Sequence, residues 1–127
     1  MADFVKNLNK NDRKIETLKL SSFVFTKSMS INLSQYVIDN FKLKTLNLSW
    51  SEMMSDDLYI FIKNINKIKH LQDLDISKIP IEGHNRINLV EMIKEYIIND
   101  NSLVHLNLSC CNLCPGIIFC YVYNNLF

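Results

Sequence analysis

Leucine and isoleucine recur along the chain in four short segments that share one spacing. Each segment reads apolar-x-x-Leu-x-(Leu/Ile)-Ser, where x is mostly polar. The segments start at Ile15, Leu43, Leu71 and Leu103, so successive starts lie 28, 28 and 32 residues apart. Alternation of apolar and other residues is typical of a short β-strand with one buried face. The pattern therefore predicts four strands, one in each copy of a repeated unit.

Between these segments the apolar residues follow helical spacing. The residues six and ten positions before the last three segment starts lie four apart, and therefore share one helical face; they are Val37, Leu33, Ile65, Phe61, Ile97 and Ile93. We predict helices at 30–41, 55–68 and 86–99. Asp56, Asp57 and Asn85 lie where helix starts favour acidic or capping residues. The four extra residues of the third spacing are placed at 82–86, beside Gly83.

This arrangement resembles the leucine-rich repeat proteins, and the long repeat with a helix resembles their ribonuclease-inhibitor-like subclass. The resemblance covers about residues 15–113. It implies an α/β solenoid of about four strand–helix repeats, starting near 15, 43, 71 and 103, with a parallel sheet on the concave side and helices on the convex side. The family pattern continues with an Asn or Cys, and only the last copy fits, because that position holds Phe23, Ser51, Ile79 and Cys111.

The whole chain, 1–127, is expected to form a single domain. Residues 1–14 suit an N-terminal capping helix, because terminal repeats need a polar-faced cap. No charged residue occurs in the 27 positions after Asp100. Residues 114–127 are thus an apolar tail or an incomplete cap. Either the chain belongs to a longer array or this segment docks on a partner or a second copy; the alternative is an irregular cap on the chain itself.

The amino-acid composition and charge argue against some classes of function. Hydrophobic residues make up 48% of the chain, enough for a packed core, and the formal net charge is +1. Such a balance gives no reason to expect nucleic acid or an anionic membrane as a partner. No secretory signal or long apolar run is apparent, so we expect an intracellular protein, cytoplasmic or part of a cytoskeletal or ciliary assembly.

The candidate binding residues are those that a concave sheet would display to a partner, and we expect that partner to be a protein. Trp50 is the only tryptophan, and aromatic residues are enriched at interface hot spots. It either anchors a partner or folds over the neighbouring strand as partial core. The candidate surface comprises Trp50, Asn47, Asp73, Asp75, Lys78, His105 and Asn107.

Catalytic and metal chemistry have weak support in the sequence. Cys111 and Cys114 have C-x-x-C spacing, with Cys110 and Cys120 nearby, but no second ligand pair accompanies them. We predict reduced, partly buried thiols, with no metal and no cofactor. Asp73 and Asp75 with a neighbouring His could act as acid and base, yet no nucleophile motif is present. We therefore expect a protein-interaction scaffold or adaptor and not an enzyme. The alternative is a regulator of a small GTPase or another enzyme.

Overall fold

Strands and helices alternate along the chain. The computed structural model describes residues 15–99 and 102–113. The elements in chain order are β1 Thr17–Lys19, α1 Lys27–Asp39, β2 Thr45–Asn47, α2 Ser55–Ile65, β3 Asp73–Asp75, α3 Arg86–Ile98 and β4 His105–Asn107. The fold is therefore α/β, as the sequence predicts. The expected capping helix at 1–14 and the segment 114–127 lie outside the described residues.

The four strands form one parallel sheet in the order β1-β2-β3-β4. Their central leucines align directly with one another, because Leu18 pairs with Leu46, Leu46 with Leu74, and Leu74 with Leu106. Strands that follow each other in the chain are also neighbours in the sheet, and one helix connects each strand to the next. A parallel sheet that alternates with helices is compatible with a repeat-like fold.

The core lies between the helices and one face of the sheet. The core includes Leu46 and Leu74 in β2 and β3, Leu48 and Ile76 directly after these strands, and helix residues such as Phe61. The segment pattern predicts that the equivalent residues of the last unit, Leu106 and Leu108, are buried as well, and this is wrong, because both are only half-buried. The physical reason is position: β4 is the outermost strand at one end of the sheet, and no further described unit packs beside it.

The helices differ from the predicted ranges mainly at their ends. Helix α1 begins at Lys27, three residues earlier than predicted, because the Thr26 hydroxyl accepts a hydrogen bond from the Met29 N–H at 3.3 Å and caps the first turn. Helix α2 begins at residue 55 as predicted and ends three residues early. Asn85 precedes α3, but its amide donates to Asp56 at 2.6 Å instead of capping. No helix in the described ranges is long and apolar enough to cross a membrane.

Two buried side chains join neighbouring units beyond the sheet. The Ser51 hydroxyl donates to the Leu20 carbonyl at 3.1 Å and accepts the Phe23 N–H at 3.3 Å. The Cys111 thiol makes the corresponding contact two units later, since Sγ lies 3.1 Å from the Ile76 carbonyl oxygen. Each side chain donates to a buried backbone carbonyl of the preceding unit, which stabilises the stacking of one unit on the next.

The turn after each strand has the same backbone conformation in all four units. Its second residue lies in the left-handed region, with φ of 63° at Ser22, 62° at Trp50, 63° at Lys78 and 59° at Cys110. The first three of these residues donate their N–H to the next unit, to the carbonyls of Ser49, Ser77 and Ser109 at 2.9–3.0 Å. None of the four residues is glycine, so each turn carries backbone strain that glycine would relieve.

Replacing Ser22 with glycine is therefore expected to raise the free energy of unfolding by about 1 kcal/mol or less. Ser21→Gly is the matched control, because Ser21 is exposed as well but does not have a positive φ. That change should lower stability by about 0.4–1 kcal/mol, since glycine gives the unfolded chain more freedom. Urea denaturation measures both variants. Equal losses in the two would contradict the strain at Ser22.

Candidate functional site

The sheet face opposite the core carries two rows of polar side chains. The rows arise because the residues on either side of each central leucine point away from it. Pairing across the sheet aligns the members of each row. The first row is Thr17, Thr45, Asp73 and His105, and the second is Lys19, Asn47, Asp75 and Asn107. Five of the candidate residues identified from the sequence therefore lie on this face: Asn47, Asp73, Asp75, His105 and Asn107.

In the first row Asp73 connects its two neighbouring strands. One carboxylate oxygen lies 2.7 Å from Nδ1 of His105, and the other accepts a hydrogen bond from the Thr45 hydroxyl at 3.3 Å. The His105 side chain is 77% exposed and that of Asp73 is 41% exposed. A contact as exposed as this adds little to stability. Its effect is to hold the carboxylate and the imidazole in fixed positions on the surface.

In the second row the side-chain oxygens fix the turns that follow the strands. Oδ1 of Asn47 accepts the N–H of Ser49 at 2.9 Å, and Oδ1 of Asp75 accepts both the N–H and the hydroxyl of Ser77, at 2.9 and 2.6 Å. Asn107 and Ser109 repeat the arrangement. These are turns of the Asx type. Asn47, Asp75 and Asn107 thus have a structural role as well, which the Asn/Asp-x-Ser spacing could have revealed.

The two rows enclose a shallow depression of about 310 Å³ that extends from Lys19 on β1 across β2 and β3 to β4. Its charged groups are the Lys19 ammonium and the carboxylates of Asp73 and Asp75, and His105 adds a charge when it is protonated. The carboxylates outnumber the fixed positive charge. The depression therefore favours positively charged groups. Its lining is Lys19, Thr45, Leu46, Asn47, Asp73, Leu74, Asp75, His105 and Asn107.

Trp50 and Lys78 do not line the depression but lie on the turns that follow β2 and β3. Trp50 is 64% exposed, so the alternative that it packs as partial core is wrong. The Lys78 ammonium lies 4.9 Å from the centre of the indole ring, within the range of a cation–π interaction. The pair forms an exposed aromatic surface with one ring face beside a positive charge.

The arrangement of Thr45, Asp73 and His105 does not suit nucleophilic catalysis. A hydroxyl nucleophile must contact the imidazole that takes its proton. Here the Thr45 hydroxyl contacts Asp73, which lies between Thr45 and His105. The three side chains form a hydrogen-bonded polar patch that can contact a partner.

The cysteines in the described residues are not arranged for catalysis or metal binding either. Cys111 is buried, and its burial raises the pKa of the thiol above the usual value, which opposes formation of the reactive thiolate. Cys110 is exposed, while Cys114 and Cys120 lie outside the described residues. Across residues 15–99 and 102–113 no group of three His, Cys, Asp or Glu side chains could hold a metal ion.

Comparison with known proteins finds that no protein family and no curated protein matches this chain. A function must therefore be inferred from the geometry of the exposed sheet face.

Proposed function

We propose that this chain is a short leucine-rich repeat solenoid that binds a protein partner through the exposed face of its sheet. The repeated register supports the solenoid, since the pairing of strands reproduces the 28, 28 and 32 residue spacings of the sequence. The four turns with the same left-handed residue support it as well. On this interpretation the exposed sheet face is the concave side and the helices are on the convex side.

Ser51 strengthens the resemblance to the leucine-rich repeat pattern. That pattern has a buried Asn or Cys after each strand, and in the sequence only Cys111 fits. In the structure Ser51 is 2% exposed and donates to a carbonyl of the preceding unit, as Cys111 does. A serine thus performs the hydrogen bonding that the pattern assigns to a different residue type. Phe23 and Ile79 offer no side-chain donor, so their units depart from the pattern.

The single observation that carries the proposed binding function is the ordered polar patch on β2–β4. Asp73 and His105 are held by one network, and Asn47, Asp75 and Asn107 by their turns. Side chains that are already fixed lose little conformational entropy when a partner binds, and this favours affinity. The patch lies in a depression on short paired strands, which gives it a defined shape.

The charges and the exposed aromatic residue indicate the chemistry of the partner. Two carboxylates in the depression would pair with Lys or Arg side chains, and Arg is enriched at protein interfaces. Trp50 would contact an apolar or aromatic group beside them. We therefore propose a partner whose contact surface has basic residues next to an apolar one.

Hydrogen exchange in the complex tests which face is used. The full chain is immobilised, proteins that bind from a cell extract are eluted and identified, and the purified partner is then added to the free chain. Exchange should slow in peptides that cover 45–50, 73–78 and 105–109, where the patch and its turns lie. Exchange in α1, α2 and α3 should not change. Slower exchange confined to the helices would contradict the proposed surface.

A further inference from the structure

Three large apolar side chains are exposed on the edge of the molecule where the strands end and the helices begin. Val24 is 58% exposed, Trp50 is 64% exposed and Met54 is 72% exposed. Trp50 and Met54 lie two residues before and two residues after Glu52, and Val24 pairs with Glu52 in a parallel bridge between the two units. The backbone thus gathers the three apolar residues around one glutamate. We call Val24, Trp50, Glu52 and Met54 the turn-edge patch.

Met54 occupies a position at which a methionine does not stabilise the fold. It directly precedes α2, and no side-chain hydrogen bond caps the start of that helix. The equivalent residue before α1 is Thr26, whose hydroxyl accepts the Met29 N–H. Ser, Thr, Asp and Asn are preferred at this position because their side-chain oxygens accept such a bond, and methionine has no oxygen to offer. The fold therefore gives no reason for an exposed methionine here.

Trp50 occupies a second position of this kind. Its φ of 62° lies in the left-handed region, where a bulky residue is rare. Ser22 holds the equivalent position in the first unit with the same conformation, so the turn itself does not need an aromatic side chain. Residues that depart from local preference without a gain in the fold are expected at functional sites. Trp50 and Met54 both do so within the single connection between β2 and α2.

Glu52 adds a negative charge to the turn-edge patch. Its side chain is exposed, and among the described residues it forms no ion pair. The Lys78 ammonium, on the neighbouring turn, lies over the Trp50 ring. A carboxylate flanked by apolar residues suits a Lys or Arg side chain, because the aliphatic stem packs on the apolar surface while the charged end pairs with the carboxylate. The patch therefore favours the same combination of basic and apolar groups as the depression and Trp50.

We infer that the partner site extends from the depression across Trp50 onto the turn-edge patch, and that the partner presents a basic residue flanked by apolar side chains to this edge. The inference rests on the proposed function, because Trp50 belongs to both surfaces. It adds Val24, Glu52 and Met54 to the site. A cluster of exposed apolar residues beside polar groups is typical of interaction surfaces. The uncapped start of α2 is then a loss of stability that the binding site requires.

Met54→Thr separates binding from folding, because its two expected effects have opposite signs. Threonine supplies the cap that Thr26 provides for α1, so the melting temperature should rise by about 3 °C. Affinity for the partner, purified after capture on the full chain and measured by calorimetry, should fall about 10-fold because an apolar contact is lost. Ile31→Thr is the matched control. Ile31 is also exposed but lies within α1, and its replacement should leave the affinity unchanged.

Charge reversal tests for the basic group on the partner. Glu52→Lys should weaken binding about 10-fold at low ionic strength and less at about 1 M salt, because salt screens the repulsion between like charges. Glu16→Lys makes the same change in net charge and is the matched control. Glu16 is exposed as well, but it lies before β1, at the opposite end of the strands from the patch. Its replacement should change the affinity by less than about 2-fold.

Trp50→Ala distinguishes a failure of this inference from a failure of the proposed function. If Trp50→Ala weakens binding while Met54→Thr or Glu52→Lys binds as tightly as the unaltered chain, the sheet-face site stands and its extension is wrong. If none of the three variants weakens binding, the proposed function is wrong as well. A lower melting temperature in Met54→Thr would also overturn the inference, because the methionine would then stabilise the fold.

Discussion

Replacing Leu74 with alanine is expected to lower the free energy of unfolding by about 2–5 kcal/mol. Leu74 is 2% exposed and lies between Leu46 and Leu106 in the middle of the sheet. Truncation removes apolar contacts and leaves a cavity, which the paired strands cannot close because their backbones are fixed by neighbours on both sides. Small domains have a total stability of about 5–15 kcal/mol, so the expected loss is a large part of it.

Leu106→Ala is the matched control, since Leu106 is the partner of Leu74 in register but is only half-buried. The same truncation there should cost about 1 kcal/mol, because less apolar surface is removed from the core. Chemical denaturation of both variants measures the difference, with the slope against denaturant used to check that the unfolded states are comparable. Equal costs at the two positions would contradict the structure of the strand layer.

The strand pattern alone was sufficient to predict the register of the sheet. Each central leucine that the sequence pattern identifies is the central residue of a strand, from Leu18 to Leu106. This succeeds because one face of each strand is buried and a shift by one residue would place Leu on the polar face. The same apolar pattern in each unit then aligns the strands with each other, although the last spacing is 32 residues and the first two are 28. The helices follow from their own period, as Leu33 and Phe61 show by being fully buried.

Features that depend on neighbouring units could not be predicted from the pattern. Leu106 has the same sequence context as Leu74, yet its burial depends on what packs beside β4. Ser51 departs from the residue types that the repeat pattern favours, and its hydroxyl is recognised as a substitute only once the Leu20 carbonyl is seen beside it. The early start of α1 comes from Thr26, a capping residue outside the apolar pattern.

The sequence identified which residues the candidate surface would contain but not the contacts between them. Alternation along the strands identified Asp73 and His105 as displayed residues, and the structure adds their contact across the sheet. The sequence could not decide whether Trp50 is exposed. A large apolar side chain after a strand can point into solvent or pack against the core. Its left-handed backbone conformation, shared with Lys78, is a property of the turn, and the two side chains contact each other in the solvent.

Trp50→Ala is expected to weaken partner binding by about 2 kcal/mol, close to 30-fold in the dissociation constant. An exposed tryptophan offers a large rigid surface that a partner can bury with little loss of conformational entropy. Stability should hardly change, because the side chain is mostly in solvent and the backbone hydrogen bond from its N–H to Ser77 does not depend on the side chain.

The proposed binding face is tested most directly by titrating the partner into the unaltered chain, Trp50→Ala and Phe41→Ala in parallel. Phe41 is the matched aromatic control. It is 73% exposed but lies before β2, at the opposite end of the strand from Trp50. Calorimetry should show about 30-fold weaker binding for Trp50→Ala and unchanged binding for Phe41→Ala, with equal unfolding curves for all three chains. Equal affinity of all three chains, or weaker binding only in Phe41→Ala, would contradict a partner site on the sheet face.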